Sequence, residues 1–280
     1  MGFSFVVQDR PEPVMRTLVL SAVAACLLAS PALAQSGPPD AAPLPHRQGL
    51  SMEMPSFSED AALQAAVAAT TRPEADRARD GERHPFETLT FWGLQPGLTV
   101  VEIEPGRAGW WRNILEPYAA ATGGRYVPVN RPTEGMGVAD GTADMVVVAR
   151  AFHNWSRDGR VEPYLAAFFT ALKPGGVLAV EQHRAAEGLN VTETAPTGYV
   201  PESWVIHAAR RAGFELEARS ELNANPKDDR DHPFGVWTLK PTRTSERDGR
   251  ALTADERTAL DAIGESDRMT LRFRKPYAAD

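Results

Sequence analysis

From residue 98 onward, short apolar runs alternate with longer amphipathic stretches, a rhythm that predicts strands and helices in turn. Residues 98–103 form a β-rich run and 125–129 a second. Residues 143–149 contain Met145-Val146-Val147-Val148, a continuous apolar stretch typical of a strand buried on both faces. Further strands are expected at 177–182, 214–219 and, as the last, 234–239. Between them, 110–118 places Ile114 and Leu115 on one helical face, and 161–172 does the same with Val161, Leu165, Phe168, Phe169 and Leu172. Lys173-Pro174-Gly175-Gly176 stops that helix. Another helix, over 201–212, has Pro201 near its first turn and Gly213 at its end. Strands alternating with helices imply right-handed βαβ units, so the expected fold class is α/β: a Rossmann-like three-layer sandwich around a mostly parallel sheet.

The flanks carry less periodicity. Residues 60–71 are rich in alanine and helical in propensity. Residues 72–83 are highly charged, with Pro73 placed to open a helix, and 86–92 are apolar, closed by Gly93 and the turn Gln95-Pro96-Gly97. The folded domain is expected over 60–243. The polar tail, 244–280, reads as an extension with a small helix near 254–263 that packs back on the domain. Residues 35–59, rich in Pro, Gly and Ser, read as a flexible linker.

The first residues bear on destination. Met15-Arg16-Thr17 begins a basic segment, 18–29 is apolar, and Ala32-Leu33-Ala34 supplies the small-x-small pattern that signal peptidase requires, with Gln35 first in the mature chain. The apolar stretch is too short to span a bilayer comfortably, and Ser30-Pro31 ends it. Asp9, Pro11, Glu12 and Pro13 do not fit a signal, so translation is expected to start at Met15 and 1–34 to be absent from the mature protein. A lipoprotein signal built on Val23-Ala24-Ala25-Cys26 is the second reading. Either way the protein is expected to be exported, periplasmic or secreted, with no stable membrane insertion of the mature soluble form. Cys26 is the sole cysteine, so the mature chain has no thiol for a disulfide, a metal or a nucleophile. The net charge of -7 and the scattered arginines give no footprint for nucleic acid; the expected partner is a small molecule.

Candidate chemistry begins with Val100-Val101-Glu102-Ile103-Glu104-Pro105-Gly106-Arg107-Ala108-Gly109, which joins the first expected strand to the first helix of the alternating series. Glycines there let the backbone approach a ligand, the helix start offers free N–H groups, and an acid at the strand end accepts hydrogen bonds. Leu172-Lys173-Pro174-Gly175-Gly176-Val177-Leu178 resembles the turn before the fifth strand of class I S-adenosylmethionine-dependent methyltransferases. Glu102 stands where their first-motif acid stands, and 144–148 resembles their fourth strand. Arg83-His84-Pro85, Phe152-His153-Asn154-Trp155, Gly198-Tyr199-Val200-Pro201, Asn223-Ala224-Asn225-Pro226 and Gly264-Glu265-Ser266-Asp267-Arg268 resemble a group of predicted bacterial methyltransferases with signal peptides. The resemblance runs from about Arg72 to the C-terminus. It implies S-adenosylmethionine as cofactor, held by Glu102, Gly106, Gly109 and Asn130.

The chain departs from that pattern at three places. Glu104 and Ala108 occupy glycine positions, and Asn130 replaces the acid that usually holds the ribose hydroxyls. Only about a dozen residues separate Asn130 from Asp144, too few for the usual helix and third strand, so one βα unit is expected to be missing after the second strand.

Ligands of open α/β sheets bind outside the carboxyl ends of the strands. The segments 150–155, 181–184 and 223–233 should gather there, bringing His153, His183 and His232 together with polar neighbours. His153 and His183 are the candidate bases, and Asn154, Arg184, Tyr199, Asn225 and Arg230 the candidate substrate contacts. The expected activity is methyl transfer to a small-molecule acceptor. Two other readings stay open: an exported, non-catalytic binding protein with a methyltransferase fold, and a metal-dependent hydrolase using the histidine-rich edge. The methyltransferase reading assigns no metal.

Overall fold

A computed structural model describes residues 60–277; the signal and linker segments expected upstream lie outside the described residues. In chain order the elements are α1 (Ala61–Ala68), α2 (Glu74–Arg77), α3 (Asp80–Arg83), α4 (Pro85–Trp92), β1 (Thr99–Ile103), α5 (Arg112–Thr122), β2 (Arg125–Val129), β3 (Ala143–Ala149), α6 (Phe152–Asp158), α7 (Val161–Ala171), β4 (Leu172–Ala185), α8 (Val191–Thr194), β5 (Val200–Pro201), α9 (Glu202–Arg211), β6 (Glu215–Ser220), β7 (Pro233–Val236), β8 (Glu246–Arg247), β9 (Arg250–Ala251), α10 (Ala254–Ile263) and β10 (Arg268–Arg274). Among the described residues no helix is long and apolar enough to cross a membrane.

The main sheet runs β2-β1-β3-β4-β10-β6, with β5 paired to the far end of β4. Strands β2, β1, β3 and β4 are parallel, and β10 is antiparallel to both neighbours. Alternation along each strand divides the core. Val101 and Ile103 of β1 and Val146 and Val148 of β3 face Phe152 and Trp155 of α6, Leu165 and Phe168 of α7, and Val205 of α9. Val100, Met145 and Val147 face the other way, against Leu63 of α1, Leu89 and Trp92 of α4, and Ile114 and Leu115 of α5. The fold is therefore a Rossmann-like α/β sandwich of three layers, as the alternating pattern predicts.

The short connection after β2 has the expected consequence. The sheet ends at β2, and residues 130–142 return to β3 with neither helix nor strand. That loop covers part of the face a helix would cover: Met136 is buried beside Val127 and Val129. Gly137, at φ +66°, lies so close to β2 that a Cβ there would stand 2.7 Å from Val127 Cγ1.

Three elements differ from the sequence expectation. Residues 86–92, read only as an apolar segment, belong to α4. β4 starts at Leu172, so the Lys173-Pro174-Gly175-Gly176 stretch lies within the strand, and a register shift between Ala143 and Met145 accommodates it. The strand expected at 234–239 reduces to β7, outside the main sheet, whereas the tail read as an extension supplies β10 inside it. Met269, Leu271 and Phe273 are wholly buried, with Leu271 opposite Val180 and Phe273 opposite Leu178. Arginines at alternate positions give this strand its polar look. Arg272 nonetheless reaches α4, donating to the Phe91 carbonyl at 2.7 Å, with its guanidinium 5.7 Å over the Phe91 ring.

Phe273→Ala is expected to cost about 3–5 kcal/mol, because a large side chain leaves a closed site. Arg250→Ala, in the exposed β9, should stay within about 0.5 kcal/mol. Urea denaturation of both variants checks this; equal costs would sink an interior β10.

Candidate functional site

The turn after β1 begins with Glu104 in a left-handed conformation (φ +48°), one that glycine adopts without steric cost. Its carboxylate is committed: Oε1 pairs with Arg160 Nη1 at 3.0 Å and Oε2 accepts from the Trp155 indole at 3.1 Å. Gly106 (φ +67°) has open space where a Cβ would stand, while Gly109 (φ +60°) is covered by the Arg112 guanidinium, 2.5 Å from such an atom. Glu102 is buried and accepts one hydrogen bond, from Tyr126 Oη at 2.8 Å. Burial pushes its carboxyl up to about 7, against the opposing effects of the Tyr126 bond and the Arg112 and Arg150 charges. Asn130 is exposed just past β2, bordering an open hollow of about 400 Å³ with Arg131 and Glu134.

A second feature lies at the carboxyl ends of β3 and β4. Arg150 follows β3 in a left-handed conformation (φ +55°), its backbone N–H donating to the Glu181 carbonyl at 2.7 Å. α6 then carries His153 and Asn154 to a cavity of about 300 Å³, which His183 of β4 enters from the sheet. The two imidazoles stand 6.0 Å apart. Arg83, Trp237, Lys240 and Ser266 complete much of the wall. Sequence reasoning thus brings His153, His183 and Asn154 to one cavity. It misses the cations and Ser266, although Arg83 and Ser266 fall within the segments that carry the family resemblance.

Both imidazoles are neutral at pH 7. Burial pulls His153 down to about 4, with Arg157 and Arg150 adding to it and Gln182 opposing. Burial also lowers His183 well below its ordinary value, with His153 and the nearby arginines contributing. Desolvation therefore takes both candidate bases away from the near-neutral titration of a free imidazole. Gln182 is anchored beside His153: its Oε1 accepts from Phe152 N–H at 3.1 Å and its Nε2 donates to the Gly198 carbonyl at 3.1 Å. The same amide nitrogen lies 3.4 Å from both His153 Nδ1 and the His183 carbonyl. His183 Nδ1 is 2.6 Å from Ser266 Oγ.

The remaining predicted contacts are engaged in the protein's own framework. Arg184 spans Asp267, Glu202 and Glu221, and Arg230 Nη2 reaches Asp267 at 2.6 Å. Tyr199 Oη is buried and directed at the Asp228 carboxylate, 3.1 Å away. Asn225 donates to the carbonyls of Ile263 and Glu265 and borders a neighbouring cavity, which shares only Glu265 and Ser266 with that of His153. The reason is local: Asp228 and Asp267 are buried carboxylates, and Arg184, Tyr199 and Arg230 supply their hydrogen bonds through side chains and Asn225 through its backbone N–H.

The three histidines do not form one ligand set. His232 turns Nε2 to Asp228 at 2.7 Å, and the Tyr199 ring is about 6 Å from both His232 and His183. Among the described residues, Asp228, Asp229 and His232 form the only group spaced to hold a metal. The Asp228 carboxylate already accepts from Tyr199, from the Arg230 and Asp267 backbone N–H groups, and contacts His232.

No protein-family profile and no curated protein matches the chain. Solved structures do. The crystal structure of the [4+2]-cyclase SpnF is 15% identical, over 70% of this chain and 82% of that one, with a TM-score of 0.47. A putative sarcosine dimethylglycine methyltransferase from Galdieria sulphuraria is 14% identical over 72% and 88%, with a TM-score of 0.48. A putative methyltransferase in complex with the Trm112 activator of Haloferax volcanii is 14% identical over 74% and 95%, with a TM-score of 0.44. The likeness is one of fold, and the strand order of this chain stands by itself.

A carboxyl raised from its ordinary 4.5 to about 7 on folding contributes its stability below the lower value and loses it as pH rises through the higher. Glu102→Gln, which keeps an acceptor for Tyr126, should therefore match wild type at pH 4 and exceed it by about 3 kcal/mol at pH 8. Urea denaturation at both pH values tests this; a constant difference between the proteins would refute the raised carboxyl.

Proposed function

We propose that the chain is an S-adenosylmethionine-dependent methyltransferase acting on a small-molecule acceptor outside the cytoplasm. The observation that carries this reading is the joining of two features at one sheet edge. α6 presents His153 and Asn154 to the cavity, while Trp155 of the same helix bonds Glu104 in the glycine-containing turn after β1. Cofactor and acceptor sites placed so are neighbours held by one rigid helix.

The residues at the turn fit such a cofactor on its donor side. Glu102 receives a single hydrogen bond from the protein, so its buried carboxyl has room for the hydroxyl or ammonium donors of a ligand. The space at Gly106 lets a ligand approach the backbone. When bound, S-adenosylmethionine supplies a sulfonium methyl group for direct displacement. The protein's part is alignment and exclusion of water. Burial makes His153 a weak base, so it orients an acceptor rather than deprotonating it. An acceptor that arrives as an anion suits this site best.

Glu104 in a glycine position and the absent βα unit favour a second reading, a cofactor-free, non-catalytic binding protein that keeps the fold. Calorimetric titration with S-adenosylhomocysteine separates the two. Under the first reading wild type binds, and Glu102→Ala weakens binding roughly 10- to 150-fold, the worth of a hydrogen bond to a charged group. No binding at millimolar ligand would end the methyltransferase reading.

A further inference from the structure

Arg150 makes no direct ion pair with a described carboxylate, although Glu181 and Glu265 act on it through space. It is held in a left-handed backbone conformation and lines the cavity, and its guanidinium donates no hydrogen bond to a described residue. Non-glycine residues in that conformation persist where the surroundings demand it, and they cluster at ligand sites. Beside it, Arg83 is only 2% exposed, and its Nη1 is buried with no partner. Lys240 stands exposed among the lining residues.

The cations of this region are unequally engaged. Glu181 and Glu265 are buried carboxylates on which Arg79, Arg83, Arg150 and Arg268 act, and Asp76 and Glu82 add to them at Arg79 and Arg268. Arg150 and, at the wall, Lys240 form no direct ion pair with a described residue, and both imidazoles are neutral. Burial followed by the Arg150 charge lowers Arg83 well below the ordinary guanidinium range, with Glu265 opposing, and burial lowers Arg150, with Glu181 opposing. Guanidinium groups match the planar oxygens of carboxylate and phosphate, and Ser266 adds a hydroxyl.

We propose that this cavity is an anion site, in which Arg150, the free Nη1 of Arg83 and Lys240 receive a carboxylate or phosphate group of a ligand. The group comes from the acceptor or from the amino-acid end of the cofactor; only that choice of source rests on the methyltransferase reading, because anion binding is measured with no cofactor present.

The test is calorimetric titration of the full chain with citrate and with inorganic phosphate at pH 7.5. Wild type should bind at least one of them, Arg150→Gln should weaken binding at least about 10-fold, and Lys240→Gln should weaken it by a smaller factor. Arg131→Gln, on the exposed loop after β2, should bind as wild type does. Arg150→Gln removes no hydrogen bond from the framework, and its urea midpoint verifies that it is folded; Lys240→Gln provides the second, exposed probe. Repeating the titrations with S-adenosylhomocysteine and with 5′-methylthioadenosine, which lacks the carboxylate, identifies the source. If Arg150→Gln weakens the first and spares the second, the cofactor provides the anion; if it spares both yet loses citrate or phosphate, the acceptor does. Absence of citrate and phosphate binding in wild type, or equal affinity in wild type, Arg150→Gln and Lys240→Gln, overturns the proposal.

Discussion

Glu265 is almost fully buried, and arginines from two distant parts of the chain hold its carboxylate. Arg79 and Arg83, before the first strand, donate to it at 2.7 Å, and Arg268, the first residue of the C-terminal strand, closes on it from the other side. Burial alone would raise this carboxyl; Arg83, Arg268 and Arg79 instead hold it down to about 2. A charge so placed can neither return to water nor lose one partner without leaving another exposed to the low-dielectric interior, a loss that typically costs about 3–5 kcal/mol. The cluster therefore fixes where β10 begins, how α3 docks, and which cations form the cavity floor. Its contribution is present above the ordinary carboxyl range and fades as pH falls toward 2.

That constraint shapes the chemistry beside it. Glu265 engages Arg79, Arg83 and Arg268 but leaves Arg83 Nη1 without a partner and Arg150 without a direct ion pair, and the same burial strips protons from His153 and His183. A site of this kind is strong at holding an anion and poor at removing a proton. Ser266, 2.6 Å from His183 and preceding the Asp267–Arg268 pair, links the imidazole to the ionic framework, so the cavity and the end of β10 are one mechanical unit.

How much of this is legible in the sequence depends on what each residue is buried against. The strands at 125–129 and 143–149 and the helix at 254–263 are readable to the residue, because apolar runs and a Thr253–Glu256 capping box leave little choice. β10 is not, since every second side chain is polar and arginine reads as surface until its carboxylate partners are known. The convergence of His153, Asn154 and His183 follows from the rule that strand ends gather on one edge. Arg184, Tyr199, Asn225 and Arg230 sit near that edge too, but the sequence does not reveal that Asp228 and Asp267 are buried and draw their hydrogen bonds. Arg150 reads only as the residue after an apolar strand; its left-handed backbone and free guanidinium emerge from the fold.

The absent βα unit is compensated within this chain. A strand left at a sheet edge offers unpaired backbone groups to other chains, and proteins blunt such edges with proline, charge or an overlying loop. β2 has all three: Pro128 lacks an N–H, Arg125 is exposed and donates to the Gly137 carbonyl at 2.9 Å, and the loop through Gly137 packs on Val127. Proline is tolerated in a sheet chiefly at an edge, so Pro128 is in keeping with β2 as an outer strand. Glu104, opposite the end of β2, donates its backbone N–H to the Val129 carbonyl at 2.8 Å, while its side chain is held by Arg160 and Trp155. The left-handed turn that glycine would make freely is thus stabilised from outside, through α6 and the residue preceding α7. A ligand resting on this turn would have Glu102 beneath it, open solvent on the Asn130 side and the cationic cavity beyond α6, so specificity has to come from the cavity rather than from an enclosed pocket past β2.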